Sequence, residues 1–220
     1  MRKLLKRIFV TFGLSLAGLP AAQAETLRVT VLGDSLVQGY GLPQGEGLVP
    51  QLQAWLVAQG ADVALTNAGV SGDTTAGGVS RIDWTLADQP QGLIVLLGGN
   101  DLLRGLPPTE TRANLEEIVT RAQGAGVEVM LIGMQAPLNY GVEFKAEFDS
   151  IYSDLAEEHD LILHPAAFLG IIQNVGTDPA AAGAYMQADG IHPNAKGVAL
   201  NVAAMGPAVQ QFLAKVAEGS

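Results

Sequence analysis

The chain has 220 residues, no cysteine and a formal charge of −10, with 48 % apolar residues. That length and apolar content suit one compact domain with a sizeable core and argue against disorder. The acidic balance disfavours nucleic acid and anionic membrane surfaces as partners, and the lack of cysteine excludes disulfides, thiol nucleophiles and thiolate metal sites.

The chain opens on Arg2, Lys3, Lys6 and Arg7, continues through a short apolar stretch from Ile8 to Leu19, and reaches Ala22-Gln23-Ala24. A basic start, a short apolar run and small residues at the cleavage positions predict a secretory signal peptide, residues 1–24, and a mature domain of residues 25–220. The stretch is too short for a retained membrane anchor, and no cysteine follows to carry a lipid. Cleavage removes four basic residues and no acidic one, so the mature chain is more acidic still.

Beyond residue 24, strand-like runs alternate with helical patterns. Leu27 to Leu32 reads as a first strand and Val63 to Asn67 as a second. Leu93 to Leu97 is a continuous apolar run, as a central parallel strand buried on both faces requires. Val127 to Ile132 and Leu161 to Leu163 complete a set of five. Between them, apolar residues recur at three-four spacing: Leu48, Leu52, Trp55 and Leu56; Val79, Ile82 and Leu86; Leu115, Ile118, Val119 and Ala122; Phe144, Phe148, Ile151, Tyr152 and Leu155. A closing helix carries Val198, Val202, Met205, Val209 and Phe212, with Gly206-Pro207 expected to kink or interrupt it. Repeated β-α units imply an α/β fold, one parallel sheet with helices on both faces.

In open α/β sheets, ligands sit at the carboxyl ends of the strands. Gly33-Asp34-Ser35-Leu36 follows the first strand, Ser71-Gly72-Asp73 the second, and Gly98-Gly99-Asn100-Asp101 the third. Asp189-Gly190-Ile191-His192-Pro193-Asn194 precedes the closing helix. Acyl transfer needs a hydroxyl nucleophile, a base, a group to orient the base, and donors for the developing oxyanion. Ser35 supplies the hydroxyl and Gly33 permits a tight turn before it. His192 supplies the base, and Asp189, three residues earlier, reaches its other ring nitrogen. The backbone N–H groups of Ser35 and Gly72 and the Asn100 amide supply the oxyanion hole, where each donor is worth about 3–4 kcal/mol. Of the other two histidines, His159 lies at an exposed helix end and His164 reads as a packed or hydrogen-bonded loop residue. Asp34, Asp73 and Asp101 read as acceptors that lock loops. Taken singly, each block also fits a helix cap or a plain turn.

These segments resemble the four signature blocks of the GDSL/SGNH hydrolases, in that family's order, with the greatest similarity to its periplasmic thioesterase/lysophospholipase/arylesterase branch. The strings GDSL, SGDT, LGGNDLLRG, PLNYG and DGIHPN carry the resemblance from Gly33 to Asn194. It implies a three-layer α/β/α, flavodoxin-like domain with a five-stranded parallel sheet, catalysis by Ser35, Asp189 and His192, and no metal or cofactor. It also implies a periplasmic monomer acting on small acyl or aryl esters, thioesters or lysophospholipids. Leu102, Leu103, Pro137, Leu138 and Tyr140 are expected to form an apolar substrate rim, with Leu106 and Pro107 beside it. Relatives carry a larger apolar residue at the position of Ala136, which bears on acyl-chain length. Two other readings stay open: a carbohydrate O-acetyl esterase on the same scaffold, against which low aromatic content and apolar loops speak, and a periplasmic binding module without catalysis. The α/β-hydrolase elbow, Gly-x-Ser-x-Gly, does not occur at Ser35.

Overall fold

The computed structural model describes residues 25–176 and 178–219. The expected signal peptide lies outside them. The five strands are β1 (Leu27–Gly33), β2 (Val63–Gly69), β3 (Gly92–Leu96), β4 (Glu128–Ile132) and β5 (Ile162–His164). They form one parallel sheet in the order β2-β1-β3-β4-β5. Each strand lies within two residues of its expected bounds. All five residues of β3 are buried, as the unbroken apolar run demands, whereas in the edge strand β2 only Val63 is buried and the rest are half-buried or exposed.

The helices are α1 (Ser35–Gln38), α2 (Leu48–Ala58), α3 (Thr75–Leu86), α4 (Gly99–Leu103), α5 (Pro108–Gly124), α6 (Val142–Glu158), α7 (Leu169–Val175), α8 (Pro179–Ala182) and α9 (Ala195–Glu218). Helices α3, α5 and α6 pack together as one layer, and α2, α7 and α9 as the other. The core runs through both interfaces: Leu32, Leu93, Ile94 and Leu131 of the sheet meet Ile82, Leu115, Ile118 and Phe148 on one side or Leu52, Leu56 and Phe212 on the other. Fully burying side chains of this kind is worth about 1.5–3 kcal/mol each.

The expected interruption at Gly206-Pro207 is absent. Helix α9 runs through Pro207 without interruption. The proline removes one hydrogen bond, but it stands on the exposed side, as does Ala203, whose carbonyl loses its partner to water instead of to the core. Around it Val202, Met205, Val209 and Phe212 are buried. Their packing outweighs a proline penalty of about 3 kcal/mol.

The register levels three strand ends. Gly33 pairs with Gly69 on one side and with Leu96 on the other. Strand order reverses between β1 and β3, so the loops after them part above the sheet and leave a crevice at its carboxyl edge. The segments after β1, β2 and β3 all open into it.

Candidate active site

Ser35 is the first residue of α1. Its helix is capped by Asp34, whose Oδ1 accepts the Leu36 N–H at 2.9 Å. The Ser35 N–H, at the first helical position, has no intrahelical acceptor and stays free to donate. Gly33 is required here for close approach rather than for turn geometry. Its φ is not positive, but a Cβ would lie 2.2 Å from the Val37 side chain and 2.6 Å from the Leu96 carbonyl.

The base arrives from the far end of the chain. Ser35 Oγ lies 2.8 Å from His192 Nε2, and His192 Nδ1 lies 2.7 Å from Asp189 Oδ2. The other Asp189 oxygen accepts the backbone N–H groups of Ile191 (2.9 Å) and His192 (3.0 Å). One carboxylate thus holds both the ring and the turn that carries it. These three bonds, the ring contact foremost, lower the Asp189 pKa to about 2. The turn is fixed from below as well. The His192 carbonyl accepts the Gln187 N–H at 2.7 Å, Gln187 Nε2 donates to the Tyr40 and Pro193 carbonyls, and Asn194 caps α9 through Lys196 and Gly197. The Tyr40 ring leans on the imidazole with centroids 4.8 Å apart.

Gly72 lies at the turn after β2, its carbonyl held by Arg104 Nη2 at 2.7 Å. Its N–H has no acceptor among the described residues, and Gly72 and Ser35 border the same cavity. Asn100 is in α4, after Gly98, which adopts φ 109° and leaves no room for a Cβ, because Tyr152 Oη would stand 2.2 Å away. That hydroxyl donates to the Leu97 carbonyl at 2.8 Å and anchors the bend to α6. Asn100 Nδ2 donates to Asp34 Oδ2 at 3.2 Å. Asp34 is 2 % exposed, and its burial raises its pKa to about 6 against the opposing pull of its hydrogen bonds.

The other two loop carboxylates also bind loops. Asp101 accepts from the Thr75 N–H and hydroxyl and from Thr111, joining α4 to α3 and α5. Asp73 accepts from Arg81. His164 is buried at the end of β5 and its Nε2 has no partner among the described residues. Desolvation lowers its pKa, against a hydrogen bond with the Ala166 backbone. His159 is the residue that follows α6.

A cavity of about 640 Å³ opens beside Ser35 and His192. Leu102, Leu103 and Pro137 line it, as the sequence suggested. Leu138 and Tyr140 stand outside its lining, because the chain winds into a short 3-10 turn directly after Pro137 and Tyr140 stacks on Phe144 instead. Much of the wall comes from residues the sequence did not single out: Met134, Ala166, Phe168, Ile172 and Ile191. No periodic signal marks them, since they come from loops and a short helix that meet only in three dimensions. Ala136 is also in the wall, with its N–H on Asp149 and its carbonyl on Lys145.

Comparison with known proteins identifies the family. The model of the GDSL-like lipase/acylhydrolase family matches residues 31–200. Esterase TesA of Pseudomonas aeruginosa is 38 % identical over 172 residues, covering 78 % of this chain and 82 % of the relative. Thioesterase 1/protease 1/lysophospholipase L1 of Escherichia coli K12 is 36 % identical over 176 residues, covering 79 % and 78 %. The crystal structure of AlinE4, an SGNH-hydrolase family esterase, superposes with a TM-score of 0.68 at 42 % identity, covering 87 % of this chain and 99 % of that one.

Proposed function

The chain belongs to the GDSL-like lipase/acylhydrolase family and is a carboxylic ester hydrolase, and from that premise we propose that Ser35 is its nucleophile, His192 its general base and acid, and Asp189 the group that orients His192. The observation that carries this reading is the unbroken hydrogen-bonded line from Asp189 through His192 to Ser35 Oγ. Neutral His192 takes the Ser35 proton on Nε2 while Oγ attacks the ester carbonyl. The carbonyl π electrons move to oxygen, and the Ser35 and Gly72 N–H groups with Asn100 Nδ2 stabilise the charge. Collapse expels the alcohol, which takes the proton from Nε2. Water then repeats the sequence on the acyl-enzyme, and the acid leaves with Ser35 restored.

The apolar cavity receives the acyl or aryl group. The small Ala136 and the residues Phe168 and Ile172 widen and extend its wall, and acyl and aryl esters, thioesters and lysophospholipids all present a group that fits. The reaction draws on no cofactor. A cleaved signal peptide, residence in the periplasm as a monomer without a membrane anchor, and a single catalytic domain over 25–220 complete the reading. No helix among the described residues is long and apolar enough to cross a membrane.

Hydrolysis of p-nitrophenyl esters from acetate to palmitate, by the protein beside Ser35→Ala, tests the assignment. Turnover that disappears in the variant supports the serine mechanism, and the optimum chain length measures the pocket. Equal turnover in both proteins overturns it.

A further inference from the structure

One cation outside the line from Asp189 to Ser35 binds segments next to both Ser35 and Gly72, where Arg104 holds only the Gly72 carbonyl. Arg81 projects from the middle of α3 and is largely enclosed, its side chain 16 % exposed. Its Nη2 donates to the Gly33 carbonyl at 2.8 Å, its Nη1 to the Ala68 carbonyl at 2.7 Å, and its Nε to Asp73 Oδ2 at 2.7 Å. The three acceptors lie on different segments: the end of β1, the end of β2, and the turn that carries Gly72. Gly33 stands two residues before Ser35, and Asp73 directly follows Gly72. The Gly33 carbonyl is held a second time by the Val70 N–H at 3.0 Å. A planar guanidinium is the one side chain with donors arrayed to reach three such acceptors at once; a lysine ammonium is a compact charge on a flexible stem.

We infer that Arg81 is a positioning residue for the oxyanion hole, fixing the separation between the Ser35 and Gly72 N–H donors. The Ser35 N–H is set by the strand end that Arg81 binds through Gly33. The Gly72 N–H is set by the turn that Arg81 binds through Asp73 and Ala68. With the clamp gone, both donors remain in the chain but no longer converge on one oxygen. Donor convergence matters to the tetrahedral state far more than to the ground state, so the effect falls on kcat. This inference rests on the assignment of Ser35 as nucleophile.

The test compares the full chain with Arg81→Lys, Arg81→Ala and Ser35→Ala. The readouts are kcat and KM for p-nitrophenyl butyrate, the rate of covalent inactivation by a p-nitrophenyl alkylphosphonate, and the thermal midpoint. Arg81→Lys keeps the charge and the partner Asp73 but cannot serve all three acceptors. Its kcat and its phosphonate rate are expected to fall together by about 10- to 100-fold, with KM little changed. Millimolar guanidinium ion is expected to restore part of the lost rate in Arg81→Ala but not in Ser35→Ala. A folded Arg81→Lys with wild-type kcat and phosphonate rate overturns the inference. So does a loss that appears in KM alone or that merely follows the fraction unfolded. If Arg81→Ala does not fold, the Arg81→Lys split between kcat and KM decides. The nucleophile assignment fails separately, through turnover that survives in Ser35→Ala.

Discussion

The candidate active site contains two carboxylates whose surroundings push them in opposite directions. Asp34 sits at the switch point of the sheet, 2 % exposed, and burial lifts its pKa to about 6. Asp189 sits in the loop before α9, with its side chain 36 % exposed, and three hydrogen bonds pull its pKa down to about 2. The same residue type is therefore two different tools. Asp189 keeps its charge at neutral pH and, on the proposed mechanism, steadies the imidazolium that forms during attack. Asp34 carries its charge reluctantly, and the amide of Asn100 is one of the few groups holding it there. The Ser35 side of the site follows directly from the sheet and encloses a reluctant charge; the His192 side is built from a loop and relies on local bonding.

Breaking the loop side is expected to have the largest effect. Asp189→Asn removes the acceptor that selects the His192 tautomer, and kcat should fall by about 10³- to 10⁴-fold with little change in thermal midpoint. On the sheet side, Asn100→Ala removes one oxyanion donor and should lower kcat by about 10²- to 10³-fold, again with KM nearly constant in steady-state assays.

The comparison sharpens in Asp34→Asn. The folded pKa of Asp34 is raised, so its contribution to stability is full below about 3.8 and is lost as pH rises through about 6. At neutral pH the buried charge costs on the order of 3 kcal/mol before its hydrogen bonds to neighbours are disturbed. Asp34→Asn should therefore unfold at a higher temperature at pH 8 while turning over more slowly, because an amide facing the Asn100 amide cannot orient it as a carboxylate does. A variant that loses stability at pH 8 would contradict this account.

His164 gives a smaller effect of the opposite sign. Its folded pKa lies below the usual 6.5, so the unfolded chain takes up a proton that the folded chain refuses as pH falls below that value. Stability should decline there, and His164→Phe should flatten that part of the melting-temperature profile. Smallest of all, Tyr152→Phe removes one buried hydrogen bond to the Leu97 carbonyl and should cost about 1–3 kcal/mol of stability, with activity falling only as far as the Gly98 bend loosens.

What could be read from the sequence divides along the same line as the two carboxylates. The strands were legible because apolar runs have a period and a length. Ser35, His192 and Asp189 could be singled out because an acyl-transfer site needs such groups and the chain offers few candidates at strand ends, and the structure brings the three within hydrogen-bonding reach. The loop-binding roles of Asp34, Asp73 and Asp101 could be named, but the shift at Asp34 could not, since desolvation depends on what Met134, Gly99 and the sheet bring to it. Arg81 carries no motif of its own: its importance lies in acceptors 8, 13 and 48 positions away. Pro207 misled because a local rule about helix interiors yields to burial along α9. Tyr140 was placed in the rim by its position in the chain and is turned toward Phe144 by a single 3-10 turn.

The bond between Ser35 and His192 also orders events in time. Its ends lie 157 positions apart, and the loop bearing the histidine is pinned by the cap of the last helix. A still-unfolded chain thus holds Ser35 apart from His192. On the proposed mechanism, hydrolysis is expected only once α9 and the loop before it have docked against the sheet.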